Sequence, residues 1–453
     1  MANTSPLKVL LVAEGSGGHL IPALQTARAL ADTGGRIHVW YALRAKTASL
    51  TRTLAEDTQS ATVALDPLPL QRTGSALAKL WQGGQLWRRA ERCFSAFAPD
   101  VVVGFGGWVS APVIMAARRH GIGCLLHEQN VVMGRANRWL TPWVDRVAVS
   151  FRATQETLGG RASVVTGLPV RPRIGRVSRA DGARRLALDP SRFTLLVLGG
   201  SQGSRTLNRL MTDLLPLLST EERAAWQILH IGGAADAVAL QAAYAAAGLT
   251  ARVVPFVAEM EAAYAAANLV LSRSGGSTVA ELARCGLPAI LIPYPHAHGH
   301  QRANARAVER IGGGFAIEEP EATPQCLLNA LRWLAADAAL RERMGAQVRQ
   351  LDQPDAAERL RAAIVEVART RDVRRGAKRA AYSAEAAASA AKAGSPWHLP
   401  AKEGEPRTTT SQPWLRGLPH REKHPVPPHL DRRGFRVVRG EMTPAVHPEE
   451  RRA

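Results

Sequence analysis

"VLLVAEGSGGHLIPAL", Val9 to Leu24, is the stretch that decides the fold: a continuous apolar run, then a glycine turn, then an apolar pattern at helical spacing. An apolar run without alternation suits a strand covered on both faces, as in a parallel sheet. The same design recurs. "IHVWYAL", "VVVGFGG", "CLLHE" and "RVAVS" follow, then "TLLVLGG", "QILHIGG", "ARVVPFV", "LVLSRSGG" and "PAILIPY". With helical patterns between these runs, the expected fold is α/β with helical crossovers between parallel strands.

A chain of 453 residues with 46% hydrophobic residues is too long for one ordinary core and holds enough apolar material for two. "VVTGLPVRPRIG", Val164 to Gly175, carries two prolines and two glycines between the two series of strands. It divides the chain into an expected first domain, 1–165, and a second, 166–370, whose last helix is able to pack back on the first. From 371 to 453 the composition turns basic and proline-rich. That stretch has 17 Lys or Arg against 9 Asp or Glu from residue 370 on, so about +8 of the formal +20 charge lies there. It reads as a disordered tail.

Four scattered cysteines, Cys93, Cys124, Cys285 and Cys326, form no CxxC pair and suggest neither a disulfide framework nor a zinc site. The apolar run after Lys8 is too short for a signal peptide. No stretch reaches the ~18 apolar residues of a spanning helix. The positive charge implies an anionic partner, whether nucleic acid, acidic lipid or a phosphorylated substrate.

Glycine turns at strand ends narrow the choice. "GSGGH" (Gly15 to His19), "GFGGW" (Gly104 to Trp108), "GGSQGS" (Gly199 to Ser204) and "SGGST" (Ser274 to Thr278) each offer free backbone N–H groups at a helix start, suited to phosphate or a developing oxyanion. The first is not a dinucleotide fingerprint, since Leu20 stands where a third glycine or alanine is needed and "IHVWYALR" ends without an acid. No Gly-Lys-Ser or Gly-Lys-Thr occurs, so a Walker site is also excluded.

His19 lies just inside the first turn, where a positive helix end favours a neutral imidazole able to accept a proton near pH 7. The plain alternative is a histidine that only bonds the loop backbone. Glu281 ends "TVAE" (Thr278 to Glu281), which matches a capping box, with Gly286 and Pro288 closing the helix behind it. Its functional alternative is a carboxylate that accepts from the two hydroxyls of a ribose.

Taken in order, "GSGGHLIPAL", "GFGGWVSAP", "HEQNVVMGRAN", "GLPVR", "GGSQGSRTLN", "SRSGGSTVAEL" and "HGHQRANA" closely resemble the MurG family of peptidoglycan N-acetylglucosaminyltransferases, over roughly Val9 to Thr370. The resemblance implies a GT-B fold, two Rossmann-like domains facing a cleft. It implies an inverting transfer of N-acetylglucosamine from UDP-GlcNAc to the 4-hydroxyl of N-acetylmuramic acid in undecaprenyl-linked lipid I, giving lipid II, with no cofactor and no metal. A peripheral position on the cytoplasmic face of the bacterial plasma membrane goes with it.

By the same motif match, His19 is the candidate base, and Ser16, Gly17 and Gly18 form the loop facing the donor. Arg171 and Ser201 are candidates for the diphosphate. The main chain at Val257 would meet the uracil and Glu281 the ribose, with Gly276, Ser277, Thr278, Val279 and Ala280 along the nucleotide. Gln301 would read hydroxyls of the transferred sugar, and Asn130 would approach from the other domain. His127 and Glu128 would shape the acceptor side. The chain departs from the family pattern in Ser16 for threonine, Leu168 for asparagine, Gly276 and Ser277 for an Ala-Leu pair, and His298 for aspartate.

A membrane-docking segment is expected in "RTGSALAKLWQGGQLWRRAERCF", Arg72 to Phe94, where Leu77, Leu80, Trp81, Leu86 and Trp87 alternate with Arg72, Lys79, Arg88, Arg89 and Arg92. An ordinary amphipathic helix facing the core is the other reading. The rivals in function are a GT-B enzyme with a different lipid acceptor and, on charge alone, a nucleic-acid-binding protein. The latter is disfavoured because no nucleic-acid motif occurs.

Overall fold

The computed structural model describes residues 5–15, 17–42, 60–68, 75–200 and 203–373. Their strands form two parallel sheets. The first contains β1 (Lys8–Ala13), β2 (Arg36–Ala42), β3 (Val63–Leu68), β4 (Val101–Gly104), β5 (Gly123–Glu128), β6 (Arg146–Val149) and β7 (Ser163–Val165), in the order β3-β2-β1-β4-β5-β6-β7. The second contains β8 (Phe193–Leu198), β9 (Trp226–Ile231), β10 (Ala251–Val254), β11 (Leu269–Ser272), β12 (Ala289–Leu291) and β13 (Gly314–Ala316), in the order β10-β9-β8-β11-β12-β13.

Both sheets therefore start in the middle, build out to one edge and then jump back across the first strand. Val9 pairs with Ile37 on one side and Val101 on the other, and Leu195 pairs likewise with Ile228 and Leu269. The reversal leaves a crevice beyond the carboxyl ends of β1 and β4, and another beyond β8 and β11. Central strands such as Val9–Ala13 are buried on both faces, which is why they read as unbroken apolar runs.

Helices cover the sheets with residues at helical spacing. In the helix Gly17–Ala31, Leu20, Ala23, Leu24, Ala27 and Leu30 fall on one face and join the core of the first sheet. The helix over 356–373 belongs to the same core through Leu360, Ala363, Ile364, Val367 and Ala368, so the chain crosses back from the second half to the first. Burying Leu360, Ile364 and Val367 stabilises this return by roughly 1.5–3 kcal/mol each. Arg371 closes it on Asp145 (Nε to Oδ2, 3.0 Å), and Arg146 pairs with Glu366.

Candidate active site

All four glycine turns recognised in the sequence fall at the two crevices. Gly15 to His19 follows β1, Phe105 to Trp108 follows β4, Gly199 to Ser204 follows β8, and Arg273 to Thr278 follows β11. A cleft of about 630 Å³ opens there, lined by Gly17, Gly18 and Ile21 from the first half and by the turns of the second. Gly18 and Ser277 face each other across it: a Cβ on Gly18 would stand 3.9 Å from the Ser277 Oγ.

On the first side, His19 is half-buried in the opening turn of its helix. Its ring lies against Gly106, where a Cβ would be 3.1 Å from Nε2, and Gly106 has φ +93°. Glycine thus serves twice at that position, in the conformation and in the space left for the imidazole. Behind this surface, His127 is fully buried, its Nε2 donating to the Gly167 carbonyl (3.0 Å) while Nδ1 accepts from Gln129 Nε2 (3.1 Å). Burial pushes its pKa down to about 4, against the pull of that carbonyl and of Glu128. Glu128 is saturated: Oε1 accepts from the N–H and Nδ2 of Asn130, and Oε2 from the Gly134 N–H and Asn137 Nδ2. His127 and Glu128 lie beneath the cleft surface, where they brace the "HEQN" segment.

On the second side the helix Gly276–Cys285 aims its N-terminus at the cleft. The capping box anticipated for Thr278 and Glu281 does not form, because the helix starts three residues earlier than that motif requires. Gly275 is the N-cap and no side chain caps it. Gly286 does end the helix, at φ 64°. Ser277, Thr278 and Glu281 reach the cleft, while Val279 packs into the core and Ala280 faces a small cavity beside Leu168 and Phe151.

Glu281 is buried, with Oε2 accepting from the Tyr264 hydroxyl (2.9 Å) and Oε1 3.5 Å from Arg171 Nη2. Desolvation raises its pKa, and Arg171 and Tyr264 oppose the rise. Arg171 also donates from Nη1 to the Ala258 carbonyl (3.1 Å), next to Val257 on the cleft wall. Gln301 lines the cleft with its Oε1 accepting from the Tyr294 N–H (2.9 Å). Asn130 is brought to the boundary between the halves. Ser16 and Ser201 lie outside the described residues.

Sequence reasoning missed Arg273. It is buried at the end of β11 and lines the cleft, donating from Nε to Ser204 Oγ (3.2 Å), pairing with Glu319 (2.5 Å) and lying over the Tyr294 ring. It ties two glycine turns together. The available signal was an arginine within a glycine turn, "SRSGG". Tyr264 carried no local signal, since only the packing of two helices brings it to Glu281. Among the described residues no group of three or more His, Cys, Asp or Glu could hold a metal ion.

Comparison with known proteins bears on the geometry as a whole. Residues 9–149 match the glycosyltransferase family 28 N-terminal domain and residues 194–360 its C-terminal domain. A Mesorhizobium japonicum protein named UDP-N-acetylglucosamine--N-acetylmuramyl-(pentapeptide) pyrophosphoryl-undecaprenol N-acetylglucosamine transferase is 38% identical over 355 residues, 78% of this chain and 93% of the relative. A Rhodospirillum rubrum protein of the same name is 37% identical, covering 79% and 91%. The crystal structure of Acinetobacter baumannii MurG is 30% identical with a TM-score of 0.63, covering 80% of this chain and all of that one.

The chain belongs to the MurG family.

MurG-family membership makes the two sheets a GT-B pair and the chain a hexosyltransferase. A likeness to a Listeria monocytogenes putative UDP-N-acetylglucosamine 2-epimerase, at 12% identity and TM-score 0.60, concerns the fold alone. Against the MurG-family pattern, Gly276 has a clear structural setting: a Cβ there would overlap the Gln129 carbonyl, so the two halves meet at a point where this chain carries no side chain. Leu168 is buried, and His298 holds φ +49°, a conformation that favours glycine.

The segment expected to dock on a membrane forms a helix over Ala76–Phe97, capped by Ser75. Leu77, Leu80 and Trp81 stand out at 80%, 74% and 66% exposure, one turn apart on one face. Leu86 instead joins the core with Trp87 packed beside it, so the helix carries both an outward apolar face and a core-facing one. Arg72 lies outside the described residues, as does the tail from 374 on. No described helix is long and apolar enough to cross a membrane.

Proposed function

We propose that this chain moves N-acetylglucosamine from UDP-GlcNAc to the 4-hydroxyl of N-acetylmuramic acid in undecaprenyl-pyrophosphoryl-MurNAc-pentapeptide, lipid I, to give lipid II in peptidoglycan synthesis. The observation that carries the reading is the shared cleft, with His19 presented beside it from the first half and Glu281 set into it from the second. The first domain, 1–165 with the returning last helix, takes the acceptor. The second, from 166 to the start of that helix, takes the donor.

An inverting displacement needs a base at the attacking hydroxyl and positive potential at the departing diphosphate. His19 takes the proton of the 4-hydroxyl as the oxygen attacks the anomeric carbon and the bond to UDP breaks. The N-terminus of the helix Gly276–Cys285, the turn Gly199 to Ser204 and the guanidinium of Arg171 face the leaving diphosphate. Glu281 accepts from the ribose hydroxyls, exchanging part of its present hold on Arg171. Gln301 reads the sugar, and the Val257 main chain meets the uracil. Leu77, Leu80 and Trp81, with Lys79 beside them, dock the enzyme on an anionic membrane surface at its cytoplasmic face.

The test is incubation of the full chain with labelled UDP-GlcNAc and a short-chain lipid I analogue. Formation of the labelled disaccharide lipid is expected. Donor binding without that product, or transfer only to a different lipid, defeats the acceptor assignment.

A further inference from the structure

The helix His300–Arg310 belongs to the second half, yet its opening turns are bonded to the first. Asn304 is fully buried and uses its whole amide at the boundary. Its Oδ1 accepts from the Val131 N–H (2.9 Å), and its Nδ2 donates both to Asn130 Oδ1 (3.0 Å) and to the Ser274 carbonyl (3.0 Å). One amide thus joins the segment after β5 to the turn that opens the helix Gly276–Cys285. His300 adds a bond from Nδ1 to the Val132 carbonyl (2.9 Å). The first-half segment is itself fixed, since Asn130 is held by Glu128, and Thr154 Oγ1 donates to the carbonyls of Asn130 (3.0 Å) and Val131 (2.8 Å).

We propose that Asn304 is a positioning residue for the transfer, a clamp that sets the distance and angle between the acceptor half and the donor turn. The inference rests on the transferase reading. Its physical content is that the attacking hydroxyl and the anomeric carbon are held by different halves, so reaction geometry depends on how those halves are joined. Three bonds on one buried amide are costly to lose, because each partner is left in a place water reaches poorly. Asparagine is the side chain that supplies one acceptor and two donors there, and the isosteric aspartate supplies acceptors only.

The experiment compares wild type with Asn304→Asp and with Asn304→Ser, the second serving if the first does not fold. Transfer to the short-chain lipid I analogue, affinity for UDP alone, and amide hydrogen exchange across 128–132 are measured on the full chain. The expected result is a roughly 10- to 100-fold fall in kcat with UDP affinity held within about twofold, and faster exchange at 128–132 in the serine variant. In an Asn130→Ala background the Asn304→Asp effect should shrink, as for two residues acting through one bond. Parallel loss of UDP affinity and transfer, or additive effects in the double variant, overturns the proposal in favour of a merely structural asparagine. A wild-type protein that makes no disaccharide lipid defeats the transferase reading instead, and the exchange rates then judge the clamp by themselves.

Discussion

The two halves share a strand order but spend their crevices differently. Beyond β1 and β4 the first half presents an imidazole laid on a glycine, backed by a buried, hydrogen-bonded layer of His127, Glu128 and Gln129. Beyond β8 and β11 the second half builds a deep wall in which charged groups, Arg171, Arg273 and Glu281, are already paired with protein partners. The difference teaches a division of labour. On the proposed function, the group assigned to accept a proton is left near solvent, whereas the groups assigned to hold the nucleotide are preorganised by neighbours they can partly release.

The largest expected effect tests that division directly. His19→Ala should lower kcat by ~10²- to 10⁴-fold with UDP affinity little changed. Weakened UDP binding with turnover intact would move His19 to the donor side and break the comparison. Its mirror is Glu281→Gln, expected to weaken donor binding by roughly 10- to 100-fold, since it removes the acceptor for the ribose and leaves the half-buried Arg171 without its anion. Titration with UDP-GlcNAc by calorimetry decides, and unchanged affinity would remove Glu281 from the nucleotide site.

Acid should treat the halves alike. His230 in β9 is as deeply buried as His127, bonded to Tyr244 and to Asn208, and burial pushes its pKa down to about 4 as well. In the unfolded chain both histidines titrate near 6.5, so the unfolded state binds more protons between the two values. Stability is then fully present above pH 6.5 and is lost as pH falls toward 4. Each histidine should remove roughly 2 kcal/mol between pH 7 and pH 5. Urea unfolding at the two pH values checks this, and an unchanged midpoint would contradict it.

A smaller effect sharpens the boundary between the halves. Gly276→Ala places a methyl group against the Gln129 carbonyl and should lower kcat by about tenfold by shifting the donor helix. Full turnover in that variant would mean that the halves meet less closely during reaction.

Much of this architecture was legible in the residues. The strands with unbroken apolar runs, their division into two series and the glycine turns at their ends were readable, because buried parallel strands need apolar residues on both faces. β3, β7 and β13 were not, since each is an edge strand and carries Asp66 and Pro67, or only three residues. Glu281 shows another limit. "TVAE" satisfies the capping pattern, but the strand before it lets the helix begin at Gly276, and tertiary placement overrides the local motif. Asn304 and Tyr264 were invisible for the same reason, as their roles exist only where distant elements meet.

The returning helix has a consequence for how the protein is made. The apolar surface of the first sheet that Leu360, Ile364 and Val367 cover is encoded near the front of the chain, and its cover some two hundred residues after the first sheet's last strand. During synthesis the first half therefore waits, partly uncovered, while some two hundred residues of the second half emerge. A ribosome that stops after the connector releases an incomplete unit with that face open. The helix over 356–373 is in this sense a late-arriving lid that completes the core of the first sheet.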